Sequence, residues 1–209
     1  MKKLISFLFI IIIVSSCAHK FQYTQPKMNY NVIKSKTVNM SKDQVWKKII
    51  SKLSETFFVI NNIDKESGLI NISYSGDPQK YVDCGEIYSY IENLRGKRTY
   101  QFPASSAHQE YEIWEDQLMP VKRNMSLEGR INIVVQEIEP EKTQVSVNSK
   151  YIITKEFSVY RTDYNTYQGF WQKSSETFSF NTGGKGTQSS IECICNGELE
   201  KSILDLIED

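Results

Sequence analysis

The strongest constraint on the fold is a two-residue alternation of apolar and polar side chains in two stretches, 127–136 and 145–153. Successive side chains of a strand point to opposite faces, so this period predicts strands with one buried face. The segment 139–142 between them contains a proline and charged residues, which is typical of a turn. The sequence therefore predicts an antiparallel hairpin. Its inward positions are Leu127, Ile131, Ile133, Val135, Val145, Val147, Tyr151 and Ile153.

Two helical patterns accompany the hairpin. Ser41, with Gln44 three positions later, has the pattern of a capping box. The apolar residues of 45–53 then recur at helical spacing, and those of 199–207 do the same at the end of the chain. Shorter apolar runs predict further strands at 32–39, 57–63, 69–75, 175–181 and 187–195.

These elements predict a single α+β domain over 32–209, with an antiparallel sheet covered on one face by the early helix and the C-terminal helix. The part near 86–122 shows no clear period, so we expect an irregular insertion there.

The N-terminus has the pattern of an export signal. Lys2 and Lys3 precede the apolar run 4–14, and small residues then lead to Cys17. The run is too short to cross a bilayer, which needs roughly 20 apolar residues. We therefore expect residues 1–16 to be removed as a signal peptide.

The four residues that end at Cys17, Val-Ser-Ser-Cys, resemble the lipobox of bacterial lipoproteins. The resemblance implies that Cys17 is acylated and becomes the mature N-terminus, so that the lipid attaches the protein to a membrane. In that family an acidic residue after the cysteine signals retention in the inner membrane. Ala18 stands there instead, which implies the outer membrane, facing the periplasm. The polar segment 17–31 is predicted to be a flexible tether.

Charge and cysteine content narrow the classes further. Without residues 1–16, 193 residues remain, with 23 basic and 25 acidic side chains, which argues against nucleic-acid binding. The export signal implies an oxidising compartment, in which disulfides persist, so we expect Cys84 to pair with Cys193 or Cys195. Cys193 is favoured because it lies inside its strand, whereas Cys195 stands at the strand's end.

The order of strand, Val45-Trp46 helix and two further strands over 32–75 resembles one domain of the BamC (NlpB) lipoproteins. Those proteins are outer-membrane accessory subunits of the β-barrel assembly machinery, built of helix-grip domains. The resemblance implies a helix-grip-like fold. It covers under a quarter of the mature chain, and that family has two such domains where this chain has room for one.

Catalytic patterns are weak. His19 stands in the expected tether and His108 in a polar loop, and nucleophilic catalysis needs a base beside its nucleophile. Carboxylates at 110–116 have the composition of a solvated surface, and the cysteine spacing fits no zinc site. The sequence therefore predicts neither an enzyme nor a bound metal or cofactor.

The functional expectation is a non-enzymatic envelope scaffold or assembly accessory that contacts an envelope protein. The alternative is a carrier of a small hydrophobic ligand or lipid, which requires a void between sheet and helix lined by Trp46, Tyr74 and Tyr151. Aromatic residues often anchor protein and carbohydrate contacts. The candidate binding residues are Tyr160, Tyr164, Tyr167, Phe170 and Trp171.

Overall fold

The computed structural model describes residues 18–27 and 30–207. Two one-turn 3₁₀ helices, Pro78–Lys80 and Asp205–Ile207, supplement the main elements. The strands and α-helices, in chain order, are β1 (Ala18–Thr24), β2 (Ser35–Val38), α1 (Lys42–Leu53), β3 (Val59–Asp64), β4 (Leu69–Gly76), β5 (Val82–Asp83), β6 (Glu86–Asn93), β7 (Gly96–Pro103), β8 (His108–Trp114), β9 (Leu118–Glu139), β10 (Lys142–Asp163), β11 (Gln168–Asn181), β12 (Lys185–Gln188), β13 (Ile191–Cys195) and α2 (Glu198–Leu204).

The centre of the fold is the antiparallel hairpin of β9 and β10, two strands of 22 residues each. Every odd-numbered residue is buried from Met119 to Val135 in β9 and from Thr143 to Lys155 in β10. This confirms the predicted hairpin and its inward positions, and it shows that the hairpin is longer than expected. We call 127–139 with 142–153 the turn half of the hairpin, and 118–126 with 154–163 its tip half.

Different strands flank the two halves. In the turn half, β4 pairs with β9 and carries β3 on its other side, while β2 pairs with β10. In the tip half, β8 pairs with β9. The long strand β11 pairs with β10 along both halves and continues to the end of the hairpin. The result is one seven-stranded sheet with a single buried face.

The early helix is confirmed. Gln44 accepts a hydrogen bond from the Ser41 backbone N–H at 3.0 Å, which is half of the predicted capping box. Helix α1 packs its apolar stripe against the turn half, and α2 lies against β10. The buried residues of α1 are Val45, Trp46, Ile49 and Leu53.

The predicted fold class, an α+β sheet covered by helices, is wrong. The protein is mostly β, with 62% of residues in strands and 13% in helices. Two further three-stranded antiparallel sheets, β1-β6-β7 and β12-β13-β5, accompany the large one. The two α-helices are short, so the molecule is three sheets with two helices packed at one end of the largest.

The flexible tether and the irregular insertion are also corrected. Residues 18–24 of the expected tether form β1, which pairs with β6 along its whole length. Residues 86–122 form β6, β7, β8 and the start of β9. Polar residues at inward positions hid this pattern. Ser89, for example, is fully buried and donates its hydroxyl hydrogen to the Glu112 carbonyl.

One disulfide joins Cys84 to Cys193, the pairing that the sequence favoured over Cys195. The strand register explains the choice, because Ile194 lies opposite Asp83 and places Cys193 opposite the next residue, Cys84. Cys195 is buried and free. Its Sγ accepts a hydrogen bond from the Gly183 backbone at 3.0 Å, and burial raises the pKa of its thiol.

Candidate functional site

The candidate binding residues lie at the free end of the β10–β11 hairpin, which we call the aromatic tip. The turn of the tip is held by Asp163, whose backbone carbonyl accepts from the Tyr167 N–H at 2.7 Å and whose carboxylate accepts from the Asn165 N–H at 2.8 Å. The rings of Tyr164, Tyr167, Phe170 and Trp171 are exposed, and 83% of Tyr167 is accessible. The structure therefore brings all five candidates onto one short hairpin end, as neighbours of one another.

One face of the aromatic tip is organised around Trp171. The Tyr160 and Trp171 rings meet edge to face, with centroids 5.4 Å apart. Tyr160 lies directly over Gly169, where any Cβ would collide with its hydroxyl. The Lys122 ammonium group stands 5.4 Å from the centroid of the Trp171 ring. These contacts hold two rings in a fixed arrangement at the surface.

Tyr167 adopts an unusual backbone conformation, with φ at +54°. This left-handed region favours glycine or asparagine, because an L side chain crowds the following carbonyl. A tyrosine ring is therefore presented at the outermost turn at some cost in conformational energy. Such an outlier is a reason to suspect that the exposed ring itself is useful.

The turn between β8 and β9 supports the aromatic tip. The Gln117 side chain donates to the Thr162 carbonyl at 3.1 Å and accepts from the Thr162 N–H at 3.0 Å. Arg161 forms an ion pair with Glu115 at 2.9 Å. The tip of β8–β9 and the aromatic tip therefore form one connected end of the molecule.

The first described residue lies at this same end. Ala18 pairs with Glu92, next to the β6–β7 turn, and the His19 ring stacks on Trp114 with centroids 6.0 Å apart. Trp114 is the last residue of β8, directly before the turn that supports the aromatic tip. Leu94, in the β6–β7 turn, is 91% exposed. Cys17, the predicted acylation site, lies outside the described residues and immediately precedes Ala18.

The residues considered for catalysis have other contacts. Cys84 is in the disulfide, and His108 is exposed with its Nδ1 2.7 Å from the Asn124 side-chain oxygen. Glu110 lies 3.2 Å from Lys122, and Glu112 lies 2.5 Å from Arg98. Within 18–27 and 30–207, no three His, Cys, Asp or Glu side chains come together in a way that could hold a metal ion.

The residues named for a carrier cavity do not line a common void. Trp46 and Tyr151 belong to the packed core, and the Tyr151 hydroxyl donates to the buried Glu200 carboxyl group at 2.8 Å. Tyr74 instead borders an open cleft of about 520 Å³ at the end of α1, together with Phe58 and Tyr81. The Tyr74 and Tyr81 rings meet edge to face at 4.9 Å.

A second exposed apolar surface was not singled out from the sequence. Strand β3 is an edge of the large sheet, and all six of its residues are exposed. Val59, Ile60 and Ile63 lie along it, and the preceding Phe57 is 96% exposed. We call these four residues the β3 edge. The sequence has no local signal for this exposure, because 57–63 has the apolar content of an ordinary buried strand.

None of the helices in the part of the chain that the structure describes is long and apolar enough to cross a bilayer. Comparison of the chain with protein-family models, with curated proteins and with solved structures found no match.

Proposed function

We propose that this chain is a lipid-anchored, non-enzymatic scaffold or assembly accessory of the bacterial cell envelope, held at the outer membrane and facing the periplasm. The observation that carries the proposal is the position of Cys17. An export-type segment ends there, and the next residue, Ala18, already belongs to a strand of the folded body. An acyl chain on Cys17 therefore holds the folded domain directly at the membrane surface.

The side chains that were considered for catalysis all have structural partners, which supports a scaffold function over an enzymatic one. The Cys84 sulfur is used in a disulfide, and the carboxylates of Glu110 and Glu112 face Lys122 and Arg98. His19 stacks on a tryptophan ring beside the predicted anchor. Each of these groups has a structural partner, and none is a nucleophile with a base beside it.

The packing beneath the turn half favours the scaffold over the carrier. Trp46 and Tyr151 are buried in the core, and neither lines the cleft beside Tyr74, so the three residues do not form the ligand cavity that the carrier hypothesis requires. The cleft beside Tyr74 is open and lies at the edge of the sheet. A carrier function therefore remains the second candidate, with this cleft as its site.

The BamC-like interpretation is compatible with the fold of one segment. The order of strand, helix and two strands over 32–75 is β2, α1, β3 and β4 in the structure. On this interpretation the segment belongs to an accessory subunit that meets another protein of the envelope. The β3 edge lies within the same segment, and we propose it as the surface for that protein.

Two physical features support this choice. An edge strand presents free backbone N–H and C=O groups, which an extended strand of a partner can pair with. The apolar side chains of Val59, Ile60 and Ile63, with Phe57, give such a partner a surface to bury. The β3 edge flanks the turn half, away from the end where Ala18 lies, so the anchor leaves it accessible.

The test is a cross-linked pull-down from intact envelopes with wild-type protein and two matched double variants. Phe57→Ser with Val59→Ser should lose the recovered protein partner, because the β3 edge loses its apolar contacts. Tyr164→Ser with Tyr167→Ser removes two exposed rings from the aromatic tip and should keep the partner. A partner retained by the first variant, or lost only with the second, contradicts the assignment.

The anchor is tested separately with Cys17→Ser. This variant should accumulate as an uncleaved or soluble precursor and should incorporate no labelled fatty acid. Unchanged membrane fractionation together with unchanged labelling contradicts the proposed acylation.

A further inference from the structure

The aromatic tip and the N-terminus share one end of the molecule, although about 140 residues of sequence separate them. We propose that this end rests on the bilayer, with the rings of the aromatic tip and the Leu94 side chain entering the headgroup region of the membrane that holds the Cys17 lipid. The inference rests on the proposed acylation of Cys17. It assigns to the sequence-predicted binding residues a lipid surface in place of a protein or a carbohydrate.

Very little chain separates the predicted lipid from the folded body. Consecutive Cα atoms are about 3.8 Å apart, so an acylated Cys17 stands within one residue of Ala18. Ala18 pairs with Glu92 at the β6–β7 turn and is therefore fixed to the folded body. With no free chain between lipid and fold, the end that contains Ala18 must lie against the membrane.

Side-chain contacts join the aromatic tip to the end that contains Ala18. His19 stacks on Trp114, and the following turn holds Thr162 through both hydrogen bonds of Gln117. The path from the anchor to the hairpin therefore passes through one ring contact and two hydrogen bonds, which join β1 to β8 and the β8–β9 turn to β10. When the anchor fixes the position of Ala18, it also brings the aromatic tip to the membrane surface.

The exposed side chains at this end are of the types that concentrate at membrane interfaces. Tyrosine and tryptophan rings have an apolar body and a polar atom, which is why they concentrate at the level of lipid headgroups. The aromatic tip exposes Tyr164, Tyr167, Phe170 and Trp171, and Leu94 projects from the adjacent turn. The left-handed backbone of Tyr167 keeps one of these rings at the outermost position.

The charges at this end favour contact through the rings over attraction to anionic lipid. Two of its cations face carboxylates of the protein itself: Arg161 pairs with Glu115, and Lys97 pairs with Glu92 at 3.1 Å. Arg95, beside Leu94, is an exposed cation. The fields of the paired charges largely cancel at a distance, and salt screens that of the single arginine. We therefore expect the contact to occur on zwitterionic lipid and to change little with ionic strength.

The experiment uses the full-length, acylated protein reconstituted into phosphatidylcholine vesicles that contain lipids brominated near the carbonyl end of their acyl chains. Bromine quenches a tryptophan only in contact, so fluorescence reports which ring enters the bilayer. Trp171 should be quenched, and Trp171→Phe should remove most of the quenching. Trp46 is buried in the core and contributes an unquenched background. Trp114 is only half-buried and lies at the same end, so every protein in the series, including the one that keeps Trp171, carries Trp114→Phe.

A matched control places the reporter at the other exposed aromatic position. Trp171→Phe combined with Phe57→Trp keeps the number of tryptophans and moves one to the β3 edge, where the native side chain is 96% exposed. This variant should not be quenched. Far-UV circular dichroism and an intact disulfide establish that each variant is folded, and the Trp114→Phe protein that keeps Trp171 gives the decisive measurement.

The outcomes separate this inference from the proposed function. Protein whose Cys17 is shown by mass spectrometry to be acylated, but whose Trp171 is not quenched, overturns the membrane contact and leaves the lipoprotein intact. Equal quenching of Trp171 and of the Phe57→Trp reporter also overturns it, because the molecule then has no preferred end on the bilayer. A Cys17 without acyl chains overturns both proposals.

Discussion

In strand β9 the turn half and the tip half of the central hairpin have the same alternation of buried and exposed residues, yet the two halves fill their buried face differently. The turn half contributes aliphatic side chains such as Ile133 and Val147 to the core that it shares with Trp46 of α1. The tip half buries Arg123 and Lys155 at equivalent inward positions. Arg123 donates to the Ala104 carbonyl, and Lys155 lies 2.8 Å from Glu176.

This difference indicates that the two halves of one sheet contribute differently to stability. Apolar burial stabilises by about 25 cal/mol per Å², whereas a buried ion pair gains little over its desolvation cost. The turn half therefore supplies the stability. The tip half has a less apolar core and carries exposed rings beside the predicted anchor.

The largest effect concerns the covalent link that lies in neither half. Replacing both Cys84 and Cys193 by alanine should lower the free energy of unfolding by about 4–5 kcal/mol, because the disulfide closes a long loop with a sequence separation of 109 residues. Denaturant unfolding of the oxidised wild type and the double variant measures this. A change under about 1 kcal/mol contradicts a structural role for the bond.

The second prediction compares two tryptophans. Trp46→Ala in the turn half should cost about 3–5 kcal/mol, because it leaves a cavity in a packed core. Trp171→Ala in the tip half should cost under about 1 kcal/mol, since that ring is at the surface. The same unfolding titration measures both. Equal losses would show that the two halves contribute alike.

The third prediction concerns the buried pair of the tip half. Glu176→Gln should cost about 2 kcal/mol, because the buried Lys155 ammonium group loses its charged hydrogen-bond partner. Lys155→Met should cost less, since it removes a buried charge and leaves a partly exposed carboxylate. Unfolding curves of both variants measure the order. The reverse order contradicts the view that the tip half buries a charge at a cost.

The same pair gives a pH dependence. The hydrogen bond from Lys155 lowers the pKa of Glu176 in the folded protein, helped by Ser189. A carboxyl group with a lowered folded-state pKa adds stability above its unfolded pKa of about 4.3, and this is lost as the pH falls through the folded value. Wild-type stability should therefore fall below about pH 4.3 more steeply than that of Glu176→Gln.

The smallest effect has the opposite sign. Tyr167→Asn should raise the stability by up to about 1 kcal/mol, because asparagine tolerates the left-handed backbone better than tyrosine does. Thermal unfolding measures the gain, and bromolipid quenching of Trp171 in the same variant should fall. A loss of stability would show that the Tyr167 ring packs against the protein.

The sequence predicts the turn half much better than the tip half. Local periodicity predicts the inward positions of 127–153 and helix α1, and the expectation of an oxidising compartment led to the Cys84–Cys193 pair. The continuation of the strands into 118–126 and 154–163 does not, because Arg123 and Lys155 occupy positions where a period of two predicts apolar residues. A charge that finds its partner only in the folded state breaks the pattern on which such predictions depend.

The residues of the candidate site could be predicted from the sequence, but their position in the fold could not. Five aromatic residues within 160–171 are evident in the sequence. Their position beside Ala18 depends on the pairing of β1 with β6 and on the stacking of His19 on Trp114. These contacts join segments that are far apart in sequence and share no local signal. The exposed state of the β3 edge likewise follows from which strands are left without a neighbour.

The measurement that tests the account most directly compares two side chains that are almost equally exposed, Tyr167 in the aromatic tip and Phe57 at the β3 edge. Hydroxyl-radical footprinting reports the oxidation rate of each in soluble Cys17→Ser protein and in acylated protein on phosphatidylcholine vesicles. The oxidation rate of Tyr167 should fall several-fold on the vesicles while that of Phe57 stays unchanged. An unchanged rate for Tyr167, or an equal fall at both residues, would contradict the proposed membrane contact.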